Sequence, residues 1–272
     1  MIFINTRPTS RAQPLSLAMQ NRGMTVLEMP LLELAPVDIS GRELQYQKDF
    51  YQQPERYQAL VVVSPTAARM GLAACPQGFI PKCAVIAVGH ATAEVLRAAG
   101  WQVQCPDEYS NEGMIKMPSL NTLSTGHYIL VWRGRGGRRV LVNFLQENGV
   151  TVDAIAWYQR RCPIDALDKF TKLQQQLATL SAQSEPTAPI APIAPITLIS
   201  SGEAFTNWRM LFAEWQADRV TSTDAAQLSD FDYLTFGKRL TDTLQDLQLN
   251  CMRIEHLDDD EVWQGIQRLI NK

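Results

Sequence analysis

The 272 residues are 46% hydrophobic and 19% charged, enough apolar material for two ordinary domains without disulfide or metal staples. A net charge of −3 excludes a general nucleic-acid or membrane-surface binder, which needs a positive stripe to displace counterions. Five cysteines, odd in number and with no C-x-x-C pair, argue against a disulfide framework or a zinc site and fit a reducing cytoplasm.

The chain opens on an apolar strand in IFINTRP that runs into Arg7, followed by an amphipathic helix stopped by Gly23. Arg7 and Arg11 interrupt what a signal peptide would need as a longer apolar run, and no stretch approaches the ~18 apolar residues of a membrane span. A mature protein starting at Met1, with no membrane partner, is therefore expected. Next, ALVVVSPTAA (59–68) is a strand ending at Ser64, whose hydroxyl and following Pro65 form a helix-start signature. AVIAVGHATAEVLRAAG (84–100) reads as strand, turn at Gly89 and helix, and Ser110 with Gly113 marks another helix start.

Residues 129–152 then repeat the opening unit in register, with Arg133 and Gly149 in the places of Arg7 and Gly23. The loop after a parallel strand is where open α/β sheets bind ligands, so the chain presents two similar edges, each with a guanidinium. In RGRGGRR (133–139), Gly134, Gly136 and Gly137 allow backbone N–H groups to line a loop ahead of a helix N-terminus, which suits carboxylate or phosphate. A tight turn with solvated arginines fits the same residues. The loop lacks the Gly-Lys-Ser/Thr ending of a Walker A motif and has Arg139 where a dinucleotide fingerprint needs its third glycine.

Tyr158, in AIAWYQRR, follows a strand and reads either as a proton donor near a domain connection or as an aromatic on the core edge. A helix over 167–180 precedes PTAPIAPIAPI (186–196), whose proline at every third place predicts a semi-rigid polyproline II spacer. ITLISSGEAF (196–205) matches the Ser64 unit, offering Ser200 and Ser201 as caps, and DYLTFGKRLTDTLQDLQ (232–248) matches the Gly89 unit at Gly237. In the acidic run at 258–261, Asp258 and Glu261 read as a cap and its capping-box partner rather than a metal cluster beside His256. His90 and His127 are isolated, and no catalytic triad or metal spacing is present, so no metal is expected. The opening unit, the Ser64 and Gly89 units, and then a repeat of each in the same order give doubly wound parallel sheets, either as tandem pairs or with the chain ends forming one domain and the middle another.

In their order along the chain, Thr6-Arg7-Pro8, Ser64-Pro65-Thr66-Ala67, Val88 to Ala93, Arg133-Gly134 with Gly136-Gly137-Arg138, Tyr158 and Ser200-Ser201 resemble the uroporphyrinogen-III synthases over essentially the whole sequence. The resemblance implies an α/β fold of two flavodoxin-like, doubly wound parallel-sheet domains joined by a two-stranded connector (strands around 29–34 and 154–160). It places one domain at 1–34 plus 165–272 and an inserted one at 35–163. It implies a cytoplasmic, monomeric enzyme of tetrapyrrole (haem) biosynthesis, a cyclising hydro-lyase that needs no cofactor. The substrate would be hydroxymethylbilane, closed with loss of water and inversion of the terminal pyrrole ring. Tyr158 would donate a hydrogen bond to the departing hydroxyl; Arg7, Ser64, Thr92, Arg133, Gly136, Gly137, Arg138, Ser200, Ser201 and Lys238 would hold the carboxylates. The turn Lys238-Arg239-Leu240 departs from the small hydroxylated residues usual in the family, as do the proline insertion and the stretch 219–230. A two-domain small-anion-binding protein and an inactive synthase homologue are the competing readings.

Overall fold

A computed structural model describes residues 1–53, 55–183, 194–217 and 226–271 of the chain. The expected proline spacer lies outside these residues up to position 193, as does the stretch 219–225. Two compact units form: an end unit, Met1–Glu33 with Arg161–Lys272, and a middle unit, Leu34–Arg160.

The end unit is built on β1 (Ile2–Asn5), β2 (Thr25–Glu28), β8 (Ile196–Ile199), β9 (Asp232–Phe236) and β10 (Cys251–Ile254), in the order β10-β9-β8-β1-β2 with every neighbour parallel. Helices cover both faces, so β8 is buried at every residue and shows no polar alternation. Successive strand residues divide between the two faces. Ile4, Ile199 and Tyr233 pack with Phe170, Trp208 and Leu240 from α8 (Ala166–Gln183), α9 (Gly202–Ala217) and α10 (Lys238–Asp246). Phe3, Leu198 and Leu234 pack with Leu15 and Val262 from α1 (Thr9–Asn21) and α11 (Asp259–Ile270).

The middle unit holds β3 (Glu33–Pro36), β4 (Ala59–Val62), β5 (Ala84–Ala87), β6 (Tyr128–Gly134) and β7 (Thr151–Arg161), ordered β3-β7-β6-β4-β5. A parallel bridge from Ile86 to Gln104 adds one more position beyond β5. One face packs Leu60, Leu130 and Trp132 against Phe50, Ala67 and Leu96 of α2 (Gly41–Gln52), α3 (Pro65–Ala73) and α4 (His90–Ala98). The other packs Val61, Ile129 and Val131 against Met114, Leu120 and Leu141 of α5 (Asn111–Ile115), α6 (Pro118–Asn121) and α7 (Val140–Glu147).

Numbered from β1, the end sheet runs 2-1-3-4-5. Numbered from β6, the middle sheet gives the same order, with Gln104 as its fifth position. Both are flavodoxin-like, and the strand order reverses between β1 and β8 in one unit and between β6 and β4 in the other. Ligands of such sheets bind beyond the strand C-termini at that reversal.

Three local expectations need correction. Residues 29–32 are not strand, because Pro30 has no N–H to give; Met29 and Leu31 on either side still donate to the Asn5 and Thr6 carbonyls. Tyr158 lies within β7 rather than after a strand. Asp258 caps α11 by accepting the Glu261 N–H at 2.9 Å, but the Glu261 carboxylate reaches the Glu255 N–H instead of closing a capping box.

Cys75, Cys83, Cys105 and Cys162 are thiols. Burial pushes the Cys83 thiol up to about 11. The native state therefore holds this proton after the unfolded chain has released it. The stabilisation is complete below about pH 8.5 and is lost as pH rises toward about 11. Unfolding midpoints measured across that interval are expected to fall less steeply for Cys83→Ala than for the parent. Parallel curves would refute the assignment.

Candidate functional site

At the middle unit's reversal point, Ser64 leaves β4 and caps α3: its Oγ accepts the Ala67 N–H at 3.0 Å, and Pro65 opens the helix without a wasted donor. The same Oγ lies 3.0 Å from the Tyr158 hydroxyl, so two residues 94 apart in the chain share a hydrogen bond. A β-bulge brings them together. The β6–β7 register runs evenly to Arg133 opposite Ala156, then jumps to Gly134 opposite Tyr158. Trp157, skipped by the pairing, stays in the core edge-on to Trp132 at 5.7 Å. Tyr158 packs against that same cluster, although strict alternation would send it to the opposite face. Glu43 of α2 accepts the Ala156 N–H beside the bulge at 3.0 Å.

The turn after Gly134 folds around its own arginine. Arg133 sits inside it, donating from Nε to the Gly134 carbonyl at 3.1 Å and from Nη2 to the Gly137 carbonyl at 2.8 Å. Gly136 has φ +78°, a conformation open to glycine and strained for other residues. Arg138 is paired with Glu112 at 2.6 Å. Burial, and then the nearby Arg139 charge, hold the Arg133 guanidinium below its usual range, partly offset by Tyr158.

The end unit's reversal point is organised by Asn5, which sequence reasoning passed over, and by Thr6, quoted there only as part of a motif. Asn5 accepts the Arg7 N–H on Oδ1 at 3.2 Å and donates from Nδ2 to the Ala12 carbonyl and Ser16 Oγ, each at 3.0 Å. The Thr6 hydroxyl donates to the Leu198 carbonyl, tying the exits of β1 and β8 together. The available signal was their polarity at the end of an apolar strand. Arg7 is partly buried, with Nη1 3.5 Å from the Leu257 carbonyl. Burial, and then Arg11, lower its pKa, with Asp259 acting against them. The two edges are thus electrostatic counterparts: a partly buried guanidinium crowded by a second arginine near the start of the next helix. Ser201 caps α9 by accepting the Ala204 N–H at 3.2 Å, and Ser200 stands beside it, partly buried.

Other candidates are differently engaged. Thr92 is buried in the first turn of α4. Lys238 is exposed and pairs with Asp242 at 2.7 Å. Leu240 is a core residue, and the adjacent Thr241 turns its hydroxyl inward, 2.7 Å from Thr235 Oγ1 and 3.1 Å from the Gly237 carbonyl. His90 pairs with Glu94 at 2.9 Å on the surface. Among the described residues no group of three or more His, Cys, Asp or Glu side chains could hold a metal ion, and no helix is long and apolar enough to cross a membrane. The two edges offer desolvated positive charge, helix N-termini and one phenolic hydroxyl, a set suited to binding carboxylates and donating a hydrogen bond.

The family model described as "Uroporphyrinogen-III synthase HemD" matches residues 13–259. A uroporphyrinogen-III synthase of Proteus mirabilis is 25% identical over 165 residues, which span 59% of this chain and 80% of that protein. Among solved structures, a mutant uroporphyrinogen III synthase of Thermus thermophilus aligns with a TM-score of 0.53 at 15% identity, covering 99% of this chain and 98% of that one. The uroporphyrinogen-III synthetase of Helicobacter pylori aligns with a TM-score of 0.53 at 14% identity, covering 90% and 93%. At such identities the structures establish the shared fold.

Proposed function

Because this chain belongs to the uroporphyrinogen-III synthase family, we propose that it is an active synthase, converting hydroxymethylbilane to uroporphyrinogen III with loss of water. Each unit presents a strand C-terminal edge with an arginine, and in this reading each edge binds acid groups of the substrate. The observation that carries it is the duplicated arginine environment. Arg7 and Arg133 are partly buried guanidiniums, each with an exposed arginine nearby (Arg11 and Arg139), and a carboxylate placed near either offsets both the burial and the like charge. A bilane carries an acetate and a propionate on every pyrrole, so each edge has acid groups to take. The net charge of −3 is compatible, since the positive charge is local.

Departure of the hydroxyl is driven by the pyrrole nitrogen lone pair, which leaves an azafulvene at one end of the bilane. The protein's task is to keep the bilane folded until the correct ring carbon attacks, so proximity and orientation supply most of the catalysis. Tyr158 donates a hydrogen bond to the oxygen as the C–O bond breaks and water forms. The proton taken up by the departing water is restored when the attacking ring carbon loses its own and the pyrrole regains aromaticity. Arg133 acts chiefly by shaping the 134–137 turn, whose exposed backbone amides at Gly136 and Gly137 meet a carboxylate. Leu240 weighs little against activity, because it fills the core. A cytoplasmic monomer acting as a hydro-lyase completes the proposal.

The test is isomer analysis. Purified protein supplied with hydroxymethylbilane is expected to yield mainly the type III product by chromatography. Only the spontaneously formed type I isomer, together with a thermal shift on adding uroporphyrinogen, would instead indicate a binding protein or an inactive homologue.

A further inference from the structure

Resting on the synthase reading, we propose that Gly134 and Ser64 are positioning residues that turn the Tyr158 proton outward, toward the leaving hydroxyl. The argument begins with hydrogen-bond capacity. A serine hydroxyl has one proton and two lone pairs. One lone pair of Ser64 is taken by the Ala67 N–H. That contact, at the positive end of the nine-residue α3, draws electron density from Oγ and makes its O–H the better donor. Either hydroxyl is able to donate across their 3.0 Å contact; we assign the donor role to Ser64, which leaves the phenolic proton for a ligand. Both of these bonds are internal to the protein, so Ser64 serves Tyr158 rather than a substrate carboxylate.

Gly134 supplies the seat. A Cβ there would stand 2.6 Å from Tyr158 Cζ, 2.7 Å from Cε2 and 3.0 Å from the hydroxyl oxygen. The ring thus lies flush against a bare Cα, at the residue the bulge sets opposite it. Gly134 does not have a positive φ, so its backbone alone does not require glycine. What the position excludes is a side chain under Tyr158.

Three variants separate these roles. Gly134→Ala displaces the ring and is expected to lower kcat at least tenfold with KM little changed. Ser64→Asp keeps the cap but can only accept from Tyr158, drawing the phenolic proton inward, and is expected to approach the loss of about 10²-fold assigned to the hydroxyl itself. Ser64→Thr keeps both the cap and the donor and should lose far less than Ser64→Asp. Because Gly134→Ala could disturb folding, Gly134→Ala/Tyr158→Ala removes the obstructing ring and is expected to show a smaller drop in thermal midpoint than additivity gives. Independently of turnover, the ¹³Cζ resonance of Tyr158, assigned by its loss in Tyr158→Phe, is expected to move in Gly134→Ala and in Ser64→Asp. Full kcat in Gly134→Ala, or equal kcat in Ser64→Asp and Ser64→Thr, would overturn the inference. If the parent protein forms only type I product, the synthase reading fails, and the resonance alone decides whether Gly134 and Ser64 set the tyrosine.

Discussion

Tyr158→Phe is expected to lower kcat for type III product by about 10², with the type I fraction rising as bilane released unreacted cyclises on its own. The substitution removes one oxygen and little else. The phenyl ring keeps its seat on Gly134, the bulge keeps its register, and Ser64 keeps the Ala67 N–H. The Ser64 proton loses its acceptor, at a cost of about 1 kcal/mol in stability. KM should change little, because Arg7 and the turn amides at Gly136 and Gly137 are untouched. Single-turnover rates with chromatographic separation of isomers measure the effect. A rate equal to the parent's would reduce Tyr158 to packing and remove the proposed donor.

Asp153→Ala is expected to destabilise the middle unit by about 3 kcal/mol, lowering its unfolding midpoint by roughly 10 °C. The Asp153 carboxylate is buried at the start of β7, where it accepts the Tyr57 hydroxyl at 2.8 Å and lies 3.5 Å from the Arg56 guanidinium. Arg56 is also 3.6 Å from the buried Asp49 carboxylate and lies over the Tyr128 ring, 4.7 Å from its centroid. The group ties α2, the approach to β4, the first residue of β6 and β7 together at the N-terminal end of the sheet, opposite the Ser64–Tyr158 end. Alanine would strand the Tyr57 hydroxyl without its acceptor and leave Arg56 with one carboxylate. Asp153→Asn keeps an acceptor for Tyr57 and should lose about half as much. Denaturant titrations give the differences, and kcat at low temperature should stay near the parent's because the chemistry lies at the other sheet end. A loss under about 1 kcal/mol for Asp153→Ala would show that the network is not a structural anchor.

The contrast between these two sites explains what could be read in the sequence. Strand–turn–helix units, the Ser64 and Asp258 caps and the glycine stops at Gly23 and Gly149 are local: each depends on residues three or four apart, and each is found in the structure. Flanking apolar runs also expose the parallel, doubly wound character of the sheets. What stayed hidden depends on residues brought together from far apart. No spacing rule announces the bulge at Trp157, which needs β6 as its partner, or the contact between Ser64 and Tyr158. Gly134 looked like one glycine among three lining a loop with backbone N–H groups, yet the atoms a side chain there would meet belong to a ring from another strand. Arg133 read as a guanidinium offered to a ligand or to solvent, and the turn folds back so that the Gly134 and Gly137 carbonyls accept from it. Leu240 looked like a missing hydroxyl, and only the surrounding Phe205, Trp208 and Leu244 packing reveals a core position.

The strand order of the end unit also has a consequence for how the chain is made. Thr6 and Leu198, joined by a hydrogen bond, are 192 residues apart, so at ordinary elongation speeds the ribosome needs roughly 10–40 s to produce the second after the first. Throughout that time β1 and β2 have only each other, and a two-stranded piece is marginal alone. Phe3 and Ile4, fully buried in the finished protein, wait with one sheet edge unfilled while the contiguous middle unit completes its own sheet. The nascent protein therefore carries an adhesive apolar β1 until β8 has been translated, which makes chaperone capacity and translation speed determinants of its yield.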